Sequence, residues 1–217
     1  VSTEEQLREI VRRALRTAVD GHVQTPLHRL TRETERERLE EVILDWLAVE
    51  RDREHPFTVE MVEQDREYEA AGLKLRLRID RIDRLENGNV LLIDYKSGKQ
   101  DSPKWEADRP REPQLLVYAA ALGSEVDGLF LCQLKPREMK AIGHSREKQF
   151  SGKSAAVEDD WDGFLEKSSA CVERLAVDFA AGFAVLDPAK GACNYCGQKP
   201  LCRIREQNAV REDEESD

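Results

Sequence analysis

The chain has 217 residues, 40% hydrophobic and 36% charged, with a formal net charge of −10. This allows a packed core beneath a strongly charged surface and excludes a largely disordered chain. Apolar runs such as 90–93 and 129–132 fall far short of the ~18 residues of a membrane span, and residues 1–9 are too polar for a secretory signal, so the reading is a soluble, cytoplasmic protein with no membrane partner.

The first residue is Val, which reads as a fragment or a processed product. The acidic balance weighs against tight independent binding of nucleic acid, because a DNA binder neutralises phosphates with Lys and Arg. Part of that charge sits in the run 212–217, read as a solvated, disordered tail.

In chain order, residues 3–19 are expected to form a helix with Leu7, Ile10, Val11 and Leu15 on one face. After a break at 21–26, a second, highly charged helix is predicted over 26–53. Its buried stripe is Leu39, Val42, Ile43, Trp46 and Leu47, and His55-Pro56 ends it. Residues 57–68 read as a first strand. Leu73, Leu75, Leu77 and Ile79 then alternate with Lys74, Arg76, Arg78 and Asp80, as in a half-buried strand. Asn87-Gly88-Asn89 is a turn signal, and 90–96 is a third strand, apolar until Asp94. These three strands are expected to form an antiparallel meander. A polar loop at 97–111 leads to a helix opened by Pro113. Residues 126–134 read as a central strand and 135–157 as a charged connection. A helix over 161–183 is expected to bury Trp161, Phe164, Leu165, Val172, Leu175 and Phe179. The order of elements describes an α/β sandwich.

Asp94-Tyr95-Lys96 places a carboxylate and an ammonium two residues apart, hence on one face of a strand. Burying such a pair alone is costly, so the strand end should meet water, a metal or a ligand. Asp80 lies fourteen residues earlier, a spacing that suits two strand arms and a short turn. Two carboxylates held close repel unless a cation lies between them, and oxygen ligands suit Mg2+ or Mn2+. The carbonyl of Tyr95 is a candidate third ligand. Taken alone, an Asp-x-Lys tripeptide is more often a surface salt bridge.

Three segments, Arg78-Ile79-Asp80-Arg81-Ile82-Asp83, Leu92-Ile93-Asp94-Tyr95-Lys96-Ser97-Gly98 and Gln114-Leu115-Leu116-Val117-Tyr118-Ala119, stand in this order. Together they resemble the PD-(D/E)XK nuclease superfamily, in its RecB and AddB branch. The resemblance implies a restriction-endonuclease-like α/β core, a central mixed sheet with an antiparallel meander flanked by helices. It also implies that Asp80, Asp94 and Lys96 are catalytic, that Gln114 and Tyr118 border the site, and that Asp83 is a structural partner of a nearby arginine. Two features depart from the branch. Leu77 stands where a Gly is usual, and the Gly-x-x-x-His segment has no counterpart, since His28 follows Gly21 at the wrong spacing and reads as a surface residue.

Of five cysteines, Cys193, Cys196 and Cys202 cluster near the C-terminus, as thiolates converging on a soft metal or cluster do. Cys132 and Cys171 read as core residues. The resemblance implies that the clustered three belong to a 4Fe–4S staple whose fourth cysteine lies upstream of this chain, so the cluster is expected in the parent protein and incomplete here; zinc and unliganded thiols are the alternatives. The domain reading is a helical part at 1–56, a nuclease core at 57–190, a cysteine segment at 191–205 and an acidic tail at 206–217. The expected function is metal-dependent cutting of DNA in double-strand-break repair, with a helicase as partner. A silent DNA-binding scaffold and a small zinc-type interaction domain are the rival readings.

Overall fold

The computed structural model describes residues 3–22, 29–185, 188, 191–194 and 196–202; His28 lies outside them. The chain forms two compact units, Val1–Ala176 and Val177–Asp217.

In the first unit, α1 (Glu4–His22) begins with Thr3 and Gln6 exchanging side-chain-to-backbone hydrogen bonds, a reciprocal cap of the first turn. Its buried stripe is Val11, Leu15 and Val19, and Ile10 is 51% exposed, a correction to the expected face. The stripe runs at intervals of four, which carries Ile10 out of it. α2 (Arg29–Arg51) packs against α1, and Glu40 of α2 takes Arg8 and Arg12 of α1.

Six strands follow in one sheet, in sequence order: β1 (Phe57–Ala70), β2 (Leu73–Leu85), β3 (Val90–Lys96), β4 (Val126–Gln133), β5 (Lys140–Ser145) and β6 (Ala155–Val157). β1, β2 and β3 form the expected antiparallel meander, while β3 pairs parallel to β4 and β5 parallel to β6, so the sheet is mixed. The parallel β3–β4 pair needs a crossover, and α3 (Gln114–Leu122) supplies it. The connection expected at 135–157 therefore holds two strands. β5 carries no polar alternation because both of its faces are covered: Ala141 to Ser145 are all buried.

One face of the sheet carries Leu92, Leu129 and Leu131 against Leu115, Leu116 and Tyr118 of α3 and Trp161, Phe164 and Val172 of α4 (Trp161–Ala180). The other carries Leu91, Ile93, Phe130 and Cys132 against Trp46 of α2. The molecule's first unit is thus a mixed sheet flanked by helices. β2 changes phase along its length. Leu77 and Ile79 face the α3/α4 side, and so does Ile82, whereas Leu85 faces α2. The shift falls at Asp80-Arg81, where β2 also leaves its ladder with β3.

In the second unit, Phe179, expected in the core, is 76% exposed; the buried stripe of α4 ends at Ala176. α5 (Lys199–Cys202) is a single turn. Among the described residues no helix is long and apolar enough to cross a membrane.

Candidate active site

The β2–β3 ladder runs from Arg84↔Val90 to Arg81↔Ile93. Beyond it β2 continues beside β1 alone and β3 beside β4 alone, so the sheet forks. Asp80, Asp94, Tyr95 and Lys96 lie at the fork. The amide N–H of Tyr95 has no β2 carbonyl to meet and donates instead to Asp80 Oδ2 at 2.9 Å. The carbonyl of Tyr95 points the same way, since N–H and C=O of one residue in an extended strand face the same edge. On the other edge, Leu134 N–H takes the carbonyl of Lys96 at 2.8 Å.

Alternation sends Asp94 and Lys96 to the α3/α4 face and the ring of Tyr95 to the α2 face. There Tyr95 meets Trp46 edge-on at 5.9 Å, and its hydroxyl accepts from Arg81 at 2.9 Å. Burial pushes the phenol up to about 12, with the Arg81 charge opposing the shift.

Asp94 is 2% exposed. Its Oδ2 lies 2.6 Å from Lys96 Nζ, a close ion contact, yet it has no well-directed hydrogen bond. A buried carboxylate oxygen in that state retains lone pairs for a cation. Lys96 also donates to Gln114 Oε1 at 3.3 Å, Gln114 Nε2 donates to Tyr118 Oη at 2.6 Å, and Tyr118 donates to the carbonyl of Arg78 at 2.5 Å. Gln114 and Tyr118 are one turn apart on α3. This chain of bonds ties the amine to α3 and back to β2, two residues before Asp80.

Burial raises the Asp80 carboxyl above its ordinary range. The Tyr95 N–H opposes the shift, and the charges of Asp94 and Glu63 add to it. Burial lowers Lys96, but the close contact and charge of Asp94, with the charges of Glu112 and Asp80, outweigh it and leave the amine raised. The fork therefore holds two acids that repel, one retained cationic amine and a backbone carbonyl on the same edge. That oxygen set suits a hard divalent cation. All five residues singled out from the sequence thus meet in one place.

The structure gives Asp83 the arginine partner expected of it, twice over, whereas sequence reading missed the rest of the support. Asp83 is fully buried between Arg53 and Arg81, at 2.6 Å from each, and Arg81 also meets Glu50 of α2. Glu50, Arg53 and Glu112 carry no local motif, and only the fold brings them near. Glu112 lies immediately before Pro113, with a positive φ that lifts the chain into α3.

Cys132 is buried in β4. Cys171 is half-buried, its thiol near the carbonyl of Asp108, rather than in the core. A helix position one turn from the exposed Arg174 explains the difference. In the second unit Cys193, Cys196 and Cys202 are free, and Gln198 N–H donates to Cys196 Sγ at 3.4 Å. Among the described residues the cluster with three ligand atoms of His, Cys, Asp or Glu within 4.8 Å of one another is Glu106, His144 and Glu158; the three thiols do not form one.

A stretch of 63 residues, 27% of this chain, is 44% identical to one of the subunits of the ATP-dependent helicase/deoxyribonuclease of Clostridium tetani (strain Massachusetts / E88), and it covers 6% of that relative. The crystal structure of SSO0001 aligns over 91% of this chain and 96% of its own, at 18% identity and a TM-score of 0.40. A profile of the PD-(D/E)XK nuclease superfamily matches residues 1–203. With that match spanning nearly its whole length, the chain belongs to the PD-(D/E)XK nuclease superfamily.

Proposed function

We propose that the chain is a Mg2+- or Mn2+-dependent deoxyribonuclease, of exonuclease type, acting in the cytoplasm in double-strand-break repair and recombination beside a helicase. The convergence of Asp80, Asp94 and Lys96 at the sheet fork is the observation that carries the reading. DNA and the helicase come from the name of the clostridial relative, which this chain matches over only 6% of that relative's length, together with the sequence resemblance.

In this reading Asp80, Asp94 and the carbonyl of Tyr95 hold the cation. Bound there, the ion supplies Lewis acidity toward a phosphoryl oxygen and an acidified water. Lys96, steered by Gln114, orients the attacking water and faces the charge that grows on the phosphate. Tyr118 fixes Gln114. The support from Asp83 and Arg81 keeps β2 from shifting at the fork.

We also propose that Cys193, Cys196 and Cys202 donate three ligands to a 4Fe–4S cluster in the parent protein. Three thiolates do not by themselves fit a cluster that takes four, and no step of hydrolysis runs through it. A colourless, iron-free parent protein purified without oxygen would contradict this part.

Cleavage of single-stranded DNA in Mg2+ or Mn2+ tests the main reading. Asp94→Ala and Lys96→Ala should abolish cutting and keep DNA binding. A silent DNA-holding scaffold would instead bind DNA, take up neither ion saturably, and leave both substitutions without effect.

A further inference from the structure

We propose that Glu106, His144 and Glu158 form a second divalent-metal site, of the zinc class, separate from the fork. His144 lies on β5, opposite Leu129 of β4, which in turn pairs with Leu92 of β3. It is therefore two strands, or about 10 Å, from β3. Glu106 comes from the loop after β3 and Glu158 from the link between β6 and α4. Three segments distant in sequence bring one imidazole nitrogen and two carboxylate oxygens within 4.8 Å of one another.

The imidazole is held in place. It stacks on Phe164 at 5.5 Å with the rings 5° from parallel, and Trp105 lies 5.4 Å from it on a tilt. Its Nδ1 contacts Glu158 Oε1, and its Nε2 lies 3.6 Å from Glu106 Oε1. An uncharged imidazole has one N–H and one lone pair. With a carboxylate at each nitrogen, the lone pair would face negative charge, and the two glutamates would face each other. A cation at one ring nitrogen would take up that lone pair and draw in both carboxylates, since the three ligand atoms lie within 4.8 Å of one another, while the other nitrogen keeps its N–H. One nitrogen and two carboxylates are a zinc-type donor set. A cleft of about 640 Å3 opens beside Glu106 and Glu158, leaving room for water in a fourth position.

The site would tie the loop that joins Lys96 to Gln114 onto β5 and the start of α4. That loop is also anchored by Gln100 N–H donating to Gln133, by Trp105 Nε1–H donating to the carbonyl of Glu112, and by Arg174 of α4 donating to the carbonyl of Asp108. Zinc would therefore stiffen the segment that carries both ends of the Lys96–Gln114 contact.

The test uses the full chain carrying Asp80→Asn, Asp94→Asn, Cys193→Ser, Cys196→Ser and Cys202→Ser, which removes the other candidate side-chain ligands. Calorimetric titration with Zn2+ should find one saturable site, and the melting midpoint should rise by about 5–10 °C at ~100-fold excess over Kd. His144→Gln and Glu106→Gln, each added to that protein, should weaken uptake at least ~10-fold. The Glu106 side chain is exposed, so Glu106→Gln remains informative if His144→Gln fails to fold. A melting midpoint unmoved by zinc would mean a hydrogen-bonded triad only and would overturn the proposal. So would zinc uptake with undiminished affinity in Glu106→Gln.

Discussion

Asp80 Oδ2 accepts the backbone N–H of Tyr95 at 2.9 Å, so the first acid of the fork is bonded to the residue between the other two charged groups. That bond replaces the ladder rung that would otherwise join β2 to β3 one step beyond Arg81↔Ile93. It fixes how far the strands splay and leaves the second oxygen of Asp80 for other uses. Asp80→Asn separates the two roles, because an amide oxygen still accepts the N–H but carries no charge. Cutting should fall at least ~100-fold, while the urea midpoint stays close to that of the unsubstituted protein. Retention of metal-dependent cleavage in Asp80→Asn would remove Asp80 from the ligand set.

Tyr118 links α3 to β2 by donating to the carbonyl of Arg78 and accepting from Gln114. Tyr118→Phe leaves that carbonyl and the Gln114 amide without their partner, at a cost of about 1–2 kcal/mol. Gln114→Ala should cost less stability but release Lys96 on one side, lowering the cleavage rate by ~10–100-fold through misplacement of the amine. Urea denaturation and single-turnover cleavage measure the two effects separately. Equal loss of rate and of stability in both variants would mean that the chain of bonds only holds the fold.

The elements of the meander were legible because their signals are local. Leu73 to Ile79 alternate in apolar character, Asn87-Gly88-Asn89 turns the chain, and Asp94-Tyr95-Lys96 sits at the end of an apolar run. β5 was not legible: a glycine interrupts it, and with both faces buried it shows no alternation to read. Glu106, His144 and Glu158 have no spacing that marks them, since they are assembled only when β5, the loop after β3 and the start of α4 come together. The same holds for Arg53, thirty residues from the Asp83 it pairs with. The parallel pairing of β3 with β4 depends on the α3 crossover and is a property of topology rather than of either strand.

Asp83 is fully buried, with Arg53 at one oxygen and Arg81 bridging both. Arg53 also lies over the ring of Phe57 at 3.6 Å. Asp83→Ala would leave two buried guanidinium groups short of their counter-charge, and breaking such a pair costs about 3–5 kcal/mol. Urea denaturation should show that loss. A change below about 1 kcal/mol would mean that water or Glu50 takes over the pairing.

Glu40 of α2 receives Arg12 and Arg8 of α1, and the hydrogen bond from Arg12, ahead of its charge, holds the carboxyl below its ordinary 4.5. A carboxyl depressed in the folded state contributes its stability above its unfolded pKa, and that contribution disappears as pH falls through the lowered folded value. The α1–α2 contact should therefore be unaffected near neutrality and loosen as the medium is acidified below 4.5. Hydrogen exchange of the α1 amides should speed up on acidification more in the unsubstituted protein than in Glu40→Gln, where there is no charge to lose. Identical profiles in the two proteins would show that apolar packing alone holds the helices.

Gly143 sits in β5 opposite Phe130, beside the His144 that the proposed zinc site requires. A Cβ at this position would lie 1.9 Å from the carbonyl oxygen of Leu129 and 3.0 Å from the Cα of Phe130. Both are backbone atoms of a fully buried strand and have no rotamer by which to retreat. The reason for glycine here is close approach, since its φ is not among the positive values. Gly143→Ala must therefore push β5 away from β4, at a cost of at least about 2 kcal/mol. Because β5 carries His144, the same displacement should weaken zinc uptake while leaving Asp94 and Lys96, on the far side of β4, in place. Urea denaturation together with zinc titration separates these outcomes. A Gly143→Ala protein as stable as the unsubstituted one would mean that β4 and β5 do not approach this closely.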